Sequence, residues 1–183
     1  ALAKSKPGEL NYASTGNGAG THMAFAEFNA RLGLNMVHVP YKGGPEAITS
    51  VLRGETCCIM NQVQTVLPHY KSGKVRLLGV TTAKPVEVIK EVPTIASSGL
   101  TGTKGFDSSI WFGIFAPKGT DPAIVAKLGQ AVREVLELPE VRARFESQGN
   151  AIRIETPEQF KKTVHNDRLK WAQVVKDAKI SID

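Results

Sequence analysis

The chain has 183 residues, 42% hydrophobic and 22% charged, with a formal net charge of +6. That composition is ordinary for a globular fold and argues against disorder, and no apolar run approaches the ~18 residues of a membrane-spanning helix. The positive charge is scattered, with Arg142 and Arg144 among Glu140 and Glu146 and with Asp167 inside the basic stretch Lys161–Lys176. Without a basic groove carrying aromatics, a zinc-finger pattern or a helix-turn-helix, it reads as a field that draws in small anions and not as a nucleic-acid surface.

Residues 1–8 read as the tail of a helix stopped by Pro7 and Gly8, entering from a part that precedes this sequence. A strand signal, Leu10–Ala13, runs into Ser14-Thr-Gly-Asn-Gly-Ala-Gly-Thr21, and a helix is expected over Met23–Leu32, closed by Gly33. Met36–Val39 is a strand ended by Pro40. Tyr41–Gly44 is a loop, and Pro45 starts a helix through Leu52. Cys57–Met60 is a candidate buried strand, Gln64–Lys71 a helix, and Val75–Thr81 a continuous apolar strand of the kind buried in a parallel sheet.

Strand and helix alternating at this spacing predict an α/β domain with right-handed crossovers. Residues 84–105, punctuated by Pro85, Pro93, Gly99, Gly102 and Gly105, are expected to wrap the surface with one short helix at Thr94–Ser98. Ser109–Ala116 carries a strong strand signal. A long amphipathic helix starts at Asp121-Pro122 with Ile124, Val125, Leu128, Val132 and Leu136 on one face. After Pro139 a helix spans Glu140–Gln148, Ile152–Ile154 is a short strand, and Thr156-Pro-Glu-Gln159 is a capping-box start to a helix reaching about Ala178.

The chemistry concentrates where strands end. Ser14, Thr15, Gly16, Asn17, Gly18, Gly20, Thr21 and His22 form a loop between strand and helix, with glycines alternating with hydroxyl and amide side chains. Such a loop lets backbone N–H groups converge on an anion, and the helix start behind it adds positive potential. It is neither a Walker loop, lacking a Lys-Ser or Lys-Thr after the last glycine, nor a Gly-x-Gly-x-x-Gly fingerprint. A tight turn whose glycines serve sterics is the competing reading.

A second loop supplies Tyr41, Lys42 and Gly43 at another strand end, facing the same cleft if the strands are neighbours. A third supplies Asn61 and Gln62, neutral groups that orient a carboxylate without a buried ion pair, although Asn61 serves equally as a helix cap. Trp111 is either a cleft wall or a core anchor.

The four histidines, His22, His38, His69 and His165, are dispersed. No Gly-x-Ser-x-Gly elbow, His-Glu-x-x-His pattern or acid pair accompanies them, and His38 reads as a satisfied structural residue within a strand. Adjacent Cys57 and Cys58 are poorly placed to bond each other and read as core packing. No catalytic residue, metal site or cofactor is expected.

Several motifs occur in order along almost the whole chain: Asn11-Tyr-Ala-Ser-Thr-Gly-Asn-Gly-Ala-Gly-Thr-His22, Val37-His-Val-Pro-Tyr-Lys-Gly43, Leu67-Pro-His-Tyr-Lys-Ser-Gly-Lys-Val-Arg76, Val92-Pro-Thr94, Trp111-Phe-Gly-Ile-Phe-Ala-Pro117 and Trp171-Ala-Gln-Val-Val-Lys-Asp-Ala178. Together they resemble the Bug-type receptors of tripartite tricarboxylate transporters. The resemblance implies an α/β, type II periplasmic-binding-protein-like fold with two lobes around a ligand cleft, one lobe incomplete in this sequence. It implies a complete ligand-binding lobe over 9–104, the C-terminal part of the other over 105–183, and a long further stretch before Ala1.

It further implies a periplasmic receptor, monomeric at full length, that passes a small carboxylate to a membrane permease, binds no nucleic acid and catalyses nothing. Two departures from the family stand out: Cys57 and Asn61 occupy positions where it often has Asp. The competing functions are the effector-binding domain of a regulator and a small-molecule enzyme that uses the glycine-rich loop.

Overall fold

The computed structural model describes residues 1–180. A short helix α1 (Leu2–Ser5) leads into a parallel three-stranded sheet in the order β2-β1-β3, built from β1 (Asn11–Ser14), β2 (Val37–Pro40) and β3 (Cys58–Ile59). The connections are α2 (Gly20–Leu32) and α3 (Gly44–Leu52), and α4 (Val63–Lys71) follows β3. Tyr12 pairs with His38 on one side and with Cys58 on the other, and Ser14 lies opposite Pro40. Pro40 is tolerated because β2 is an edge strand, where its missing N–H leaves no ladder bond unmade.

β1 is the central strand and its Tyr12, Ala13 and Ser14 are buried. Side chains alternate across it. Tyr12 faces α2, its ring stacked on Phe25 at 3.9 Å, and Ser14 shares that face. From β1 the chain steps to one side to form β2, then back across β1 to form β3. Right-handed crossovers in opposite directions place α2 and α3 on opposite faces of the sheet, and β1 becomes the strand at which the order reverses.

Beyond the sheet, Leu67, Val80, Ile89 and Val92 make a second core under the wrapping segment. There the expected strand over Val75–Thr81 is reduced to a single bridge, Val80 with Thr94, and the expected helix at Thr94–Ser98 is a 3-10 turn, Ile95–Ser97. The helices α5 (Pro122–Glu137), α6 (Pro139–Ser147) and α7 (Pro157–Asp177) complete the chain. α7 packs back on α2, where buried Glu27 meets Arg31 at 2.7 Å and Lys170 of α7 at 3.2 Å.

Three other expectations differ from the structure. Ser109–Ala116 forms no strand: among the described residues it has no ladder partner, and Phe112, Ile114 and Phe115 are exposed. An extended apolar segment becomes a strand only against another edge, and this one instead lies along α7, with Gly113 directly under the Phe160 ring. Ile152–Ile154 likewise forms no strand among the described residues.

Both cysteines are free thiols; Cys57 is exposed and so is not core packing, whereas Cys58 is half-buried and burial pushes its thiol up to about 11. Cys57 precedes the first residue of β3 at the sheet's edge, and its N–H is held by the Asn11 side chain at 2.9 Å. Residues 181–183, at the end of the stretch expected to form part of the second lobe, lie outside the described residues.

Candidate functional site

Three helices begin at the carboxyl edge of the sheet, one after each strand. The N-cap positions of α2, α3 and α4 are Ala19, Gly43 and Gln62, and none makes a side-chain capping bond. A helix start leaves its first N–H groups without intrahelical partners. At this edge no side chain caps them, although the Thr65 N–H returns to the Gln62 carbonyl at 3.0 Å and Pro45 has none to offer. The three helix starts bring their partial positive charges to one rim.

The β1–α2 loop is held by its own side chains. Thr21 Oγ1 accepts the Thr15 N–H at 2.9 Å and pairs with Thr15 Oγ1 at 2.8 Å. Ser14 Oγ accepts the Gly16 N–H at 3.2 Å, and His22 Nδ1 accepts the Gly18 N–H at 3.1 Å. Gly16 sits at φ +132, a backbone region that penalises a side chain. The N–H groups of Asn17, Gly20, Thr21 and His22 have no acceptor among the described residues. They form a short row of donors at the head of α2.

The second loop lies against the first. The Tyr41 N–H donates to the Ser14 carbonyl at 3.0 Å, and a Cβ on Gly16 would stand 3.7 Å from the Tyr41 carbonyl oxygen. Gly43 is the N-cap of α3 at φ +127, and Lys42 is exposed, its N–H taken by Glu46 at 3.1 Å. At the third strand end Asn61 Oδ1 accepts the Gln62 N–H at 2.8 Å. Its Nδ2 is buried with no partner among the described residues, 3.5 Å from where a Cβ on Gly44 would be. Gln62 spends its side-chain oxygen on Gln64 at 3.0 Å.

Trp111 stands apart from this rim. Its indole N–H bonds Asp167 of α7, and its ring meets Phe160 edge-on at 5.2 Å. Its neighbour Ile110 lies over the start of α2, where a Cβ on Gly20 would come within 2.9 Å of the Ile110 side chain. Ile110 and Thr65, the latter packed on Gly44, border the site without having been anticipated. The only sequence signal for Ile110 was its place in the same apolar run as Trp111.

Behind the loop the imidazoles of His22 and His38 stack at 3.7 Å with an interplanar angle of 3°, and His38 Nε2 lies 2.6 Å from Ser14 Oγ. Burial holds the His22 pKa below its ordinary value. Burial, reinforced by the charge of His22, brings His38 down to about 4. Both rings are therefore neutral near neutral pH. A cavity of about 400 Å³ lies beneath them, bordered by Tyr12, Asn17, Asn29 and Lys179 among others.

Among the described residues no group of three or more His, Cys, Asp or Glu side chains is arranged to hold a metal ion, and no helix is long and apolar enough to cross a membrane. What the rim offers is a set of backbone donors and neutral polar groups, suited to an anion that accepts several hydrogen bonds.

Comparison with known proteins bears on this geometry. Residues 1–180 match the family described as "Tripartite tricarboxylate transporter family receptor". Protein BugT of Bordetella pertussis is 32% identical over 177 residues, covering 97% of this chain and 53% of its own length. The solved structure of R. palustris Rpa4515 with adipate superposes with a TM-score of 0.88 at 27% identity, covering 98% of this chain and 59% of that one. MatC from Rhodopseudomonas palustris with bound malate gives 0.80 at 29% identity, covering 95% and 59%. The chain thus spans about half the length of BugT. Its α/β architecture with a parallel sheet is that of the periplasmic binding proteins it superposes on, and the chain belongs to the tripartite tricarboxylate transporter receptor family.

Proposed function

We propose that this protein captures a small carboxylate at the carboxyl edge of its parallel sheet and hands it to a membrane permease without chemically altering it. The observation that carries the reading is the row of open N–H donors at the head of α2, on a helix without a side-chain cap. Ligands of open α/β sheets bind outside the carboxyl ends of the strands, where the strand order reverses, and here that strand is β1. A carboxylate there replaces the missing cap: it accepts several N–H bonds at once and gains from the helix start. The net charge of +6 favours the approach of such a ligand.

In this reading Ser14, Thr15, Gly16, Asn17, Gly18, Gly20, Thr21 and the backbone N–H of His22 form the primary cradle. Tyr41, Lys42 and Gly43 border it on one side, Asn61 and Gln62 on the other. Residues 9–104 make one lobe of a two-lobed periplasmic receptor, and 105–183 the returning part of the second. The ligands named for two relatives, adipate and malate, make dicarboxylates the first class to try.

A thermal-shift screen against mono-, di- and tricarboxylates tests this. A saturable rise in melting temperature with one class supports the reading, because a ligand bound only by the native state stabilises it by mass action. No rise with any carboxylate, or turnover of the bound acid, contradicts it.

A further inference from the structure

We propose that His22 and His38 are positioning residues of the anion loop, which act through Gly18 and Ser14 to hold the open N–H groups on the ligand carboxylate. The inference rests on the carboxylate-binding reading above. Neither imidazole offers itself to a ligand at the rim. The His22 ring is buried, and its Nδ1 is occupied by the Gly18 N–H at 3.1 Å. His38 lies on β2 behind the loop, with Nε2 on Ser14 Oγ at 2.6 Å. Ser14 in turn receives the Gly16 N–H and lies 3.1 Å from the Gly16 carbonyl. The pair therefore grips the loop at two points, Gly16 through Ser14 and Gly18 directly.

The hydrogen-bond chemistry sets the state of each ring. A backbone N–H can only donate, so His22 Nδ1 must carry a lone pair and its proton sits on Nε2. A Ser14 hydroxyl that donates to the Gly16 carbonyl requires His38 Nε2–H to donate to it. If the hydroxyl donates to Nε2 instead, His38 carries its proton on Nδ1. Either arrangement fixes the hydroxyl.

The face-to-face stack at 3.7 Å transmits the position of one ring to the other, and Tyr12, 5.1 Å from His38, backs the stack from β1. With Gly16 and Gly18 engaged in this way, the intervening Asn17 N–H and the head of α2 have little freedom left, which lowers the ordering cost of binding.

The test compares His38→Leu with His38→Gln, whose terminal amide can reach Ser14 as Nε2 does, and His22→Leu with His22→Asn, whose oxygen can accept the Gly18 N–H. The dissociation constant for the best dicarboxylate of the panel is measured calorimetrically on the native polypeptide carrying this sequence. Val174→Ala, a cavity at the one buried position of the otherwise largely exposed α7, serves as a control for lost stability alone. We expect the leucine variants to weaken binding about tenfold, the scale of one positioning hydrogen bond, and the amide variants to recover most of it. Val174→Ala should lower the melting temperature while leaving affinity unchanged.

Leucine variants that bind like wild type, or that lose no more affinity than Val174→Ala at equal loss of melting temperature, would overturn the positioning role and leave carboxylate binding standing. Failure of the wild type itself to bind any carboxylate would instead remove the functional reading, and this inference with it.

Discussion

The three helices that follow the sheet strands start differently from two of the helices in the later part. Those that follow a strand of the sheet, α2, α3 and α4, have no side-chain cap. In the later part, α5 is capped by Asp121 and α7 by a full capping box, with Thr156 and Gln159 exchanging bonds at 3.2 and 2.8 Å. α6, which starts on Pro139 directly after α5, has no side-chain cap either, and its proline, like Pro45 of α3, removes one N–H from the first turn.

A cap adds about 1 kcal/mol to a helix, so its absence from three successive helices at one edge forgoes stability. The capped helices use their donors for folding. α2, α3 and α4 keep donors at the place where an α/β sheet binds its ligand.

The contrast breaks most sharply at Gly16. Gly16→Val puts a β-branched side chain at φ +132, a conformation that costs about 1–3 kcal/mol. A loop that escapes this strain has left its binding shape, so affinity for carboxylate should fall on the order of tenfold to a hundredfold, measured by calorimetry, with far-UV dichroism unchanged.

Giving α2 the cap it lacks should have opposite effects on folding and binding. Ala19 already has the extended φ and ψ of an N-cap residue, so Ala19→Asp should stabilise the fold by up to about 1 kcal/mol in urea titration. Its carboxylate competes for the donors the ligand needs, and binding should weaken about tenfold. A variant that is both more stable and a better binder would remove the distinction between the two sets of helices.

The histidine pair gives the first region a pH signature. His38 is held at about 4 against an ordinary value of 6.5, so below about 6.5 the unfolded chain takes up a proton that the native state resists. Its stability contribution is full above that pH and is lost as pH falls towards 4; the His22 shift has the same sign. The titratable groups facing the pair are Tyr12, pushed up to about 12 by burial and neutral throughout, and Asp177 and Lys179 on the cavity below. Urea midpoints from pH 8 to 4 should decline on this limb, and the decline should be smaller in His38→Gln.

The smallest effect belongs to the second region. Thr156→Ala removes half of the α7 capping box and should cost about 1 kcal/mol in stability, read by urea titration, with carboxylate affinity unchanged.

Much of the first region was legible because local chemistry encloses each of its elements. Gly33, Pro40, Pro45 and Gly54 fall at or next to element ends, and the run Ser14–Thr21 announces a strand-to-helix loop by its alternating glycines. The capping box at Thr156 was equally plain, since both partners lie within one turn.

What failed was whatever needed a partner distant in sequence. Ile110, Trp111 and Phe112 favour a strand, but pairing is a property of two edges, and this segment meets α7 instead. The meeting of His22 and His38 depends on the register that sets Tyr12 beside His38, and no spacing within one element carries it. The unequal use of caps was half legible: Thr156 is an evident cap, whereas Ala19 gains meaning only once its helix is seen to start at the sheet's edge.

The measurement closest to the central claim is an amide NMR titration of the isotopically labelled protein with adipate or malate. The account predicts that the N–H resonances of Asn17, Gly20, Thr21 and His22 move together and furthest, with the amides of Gly43 and Gly44 following. Saturable binding that leaves those four resonances in place while amides elsewhere move would contradict it.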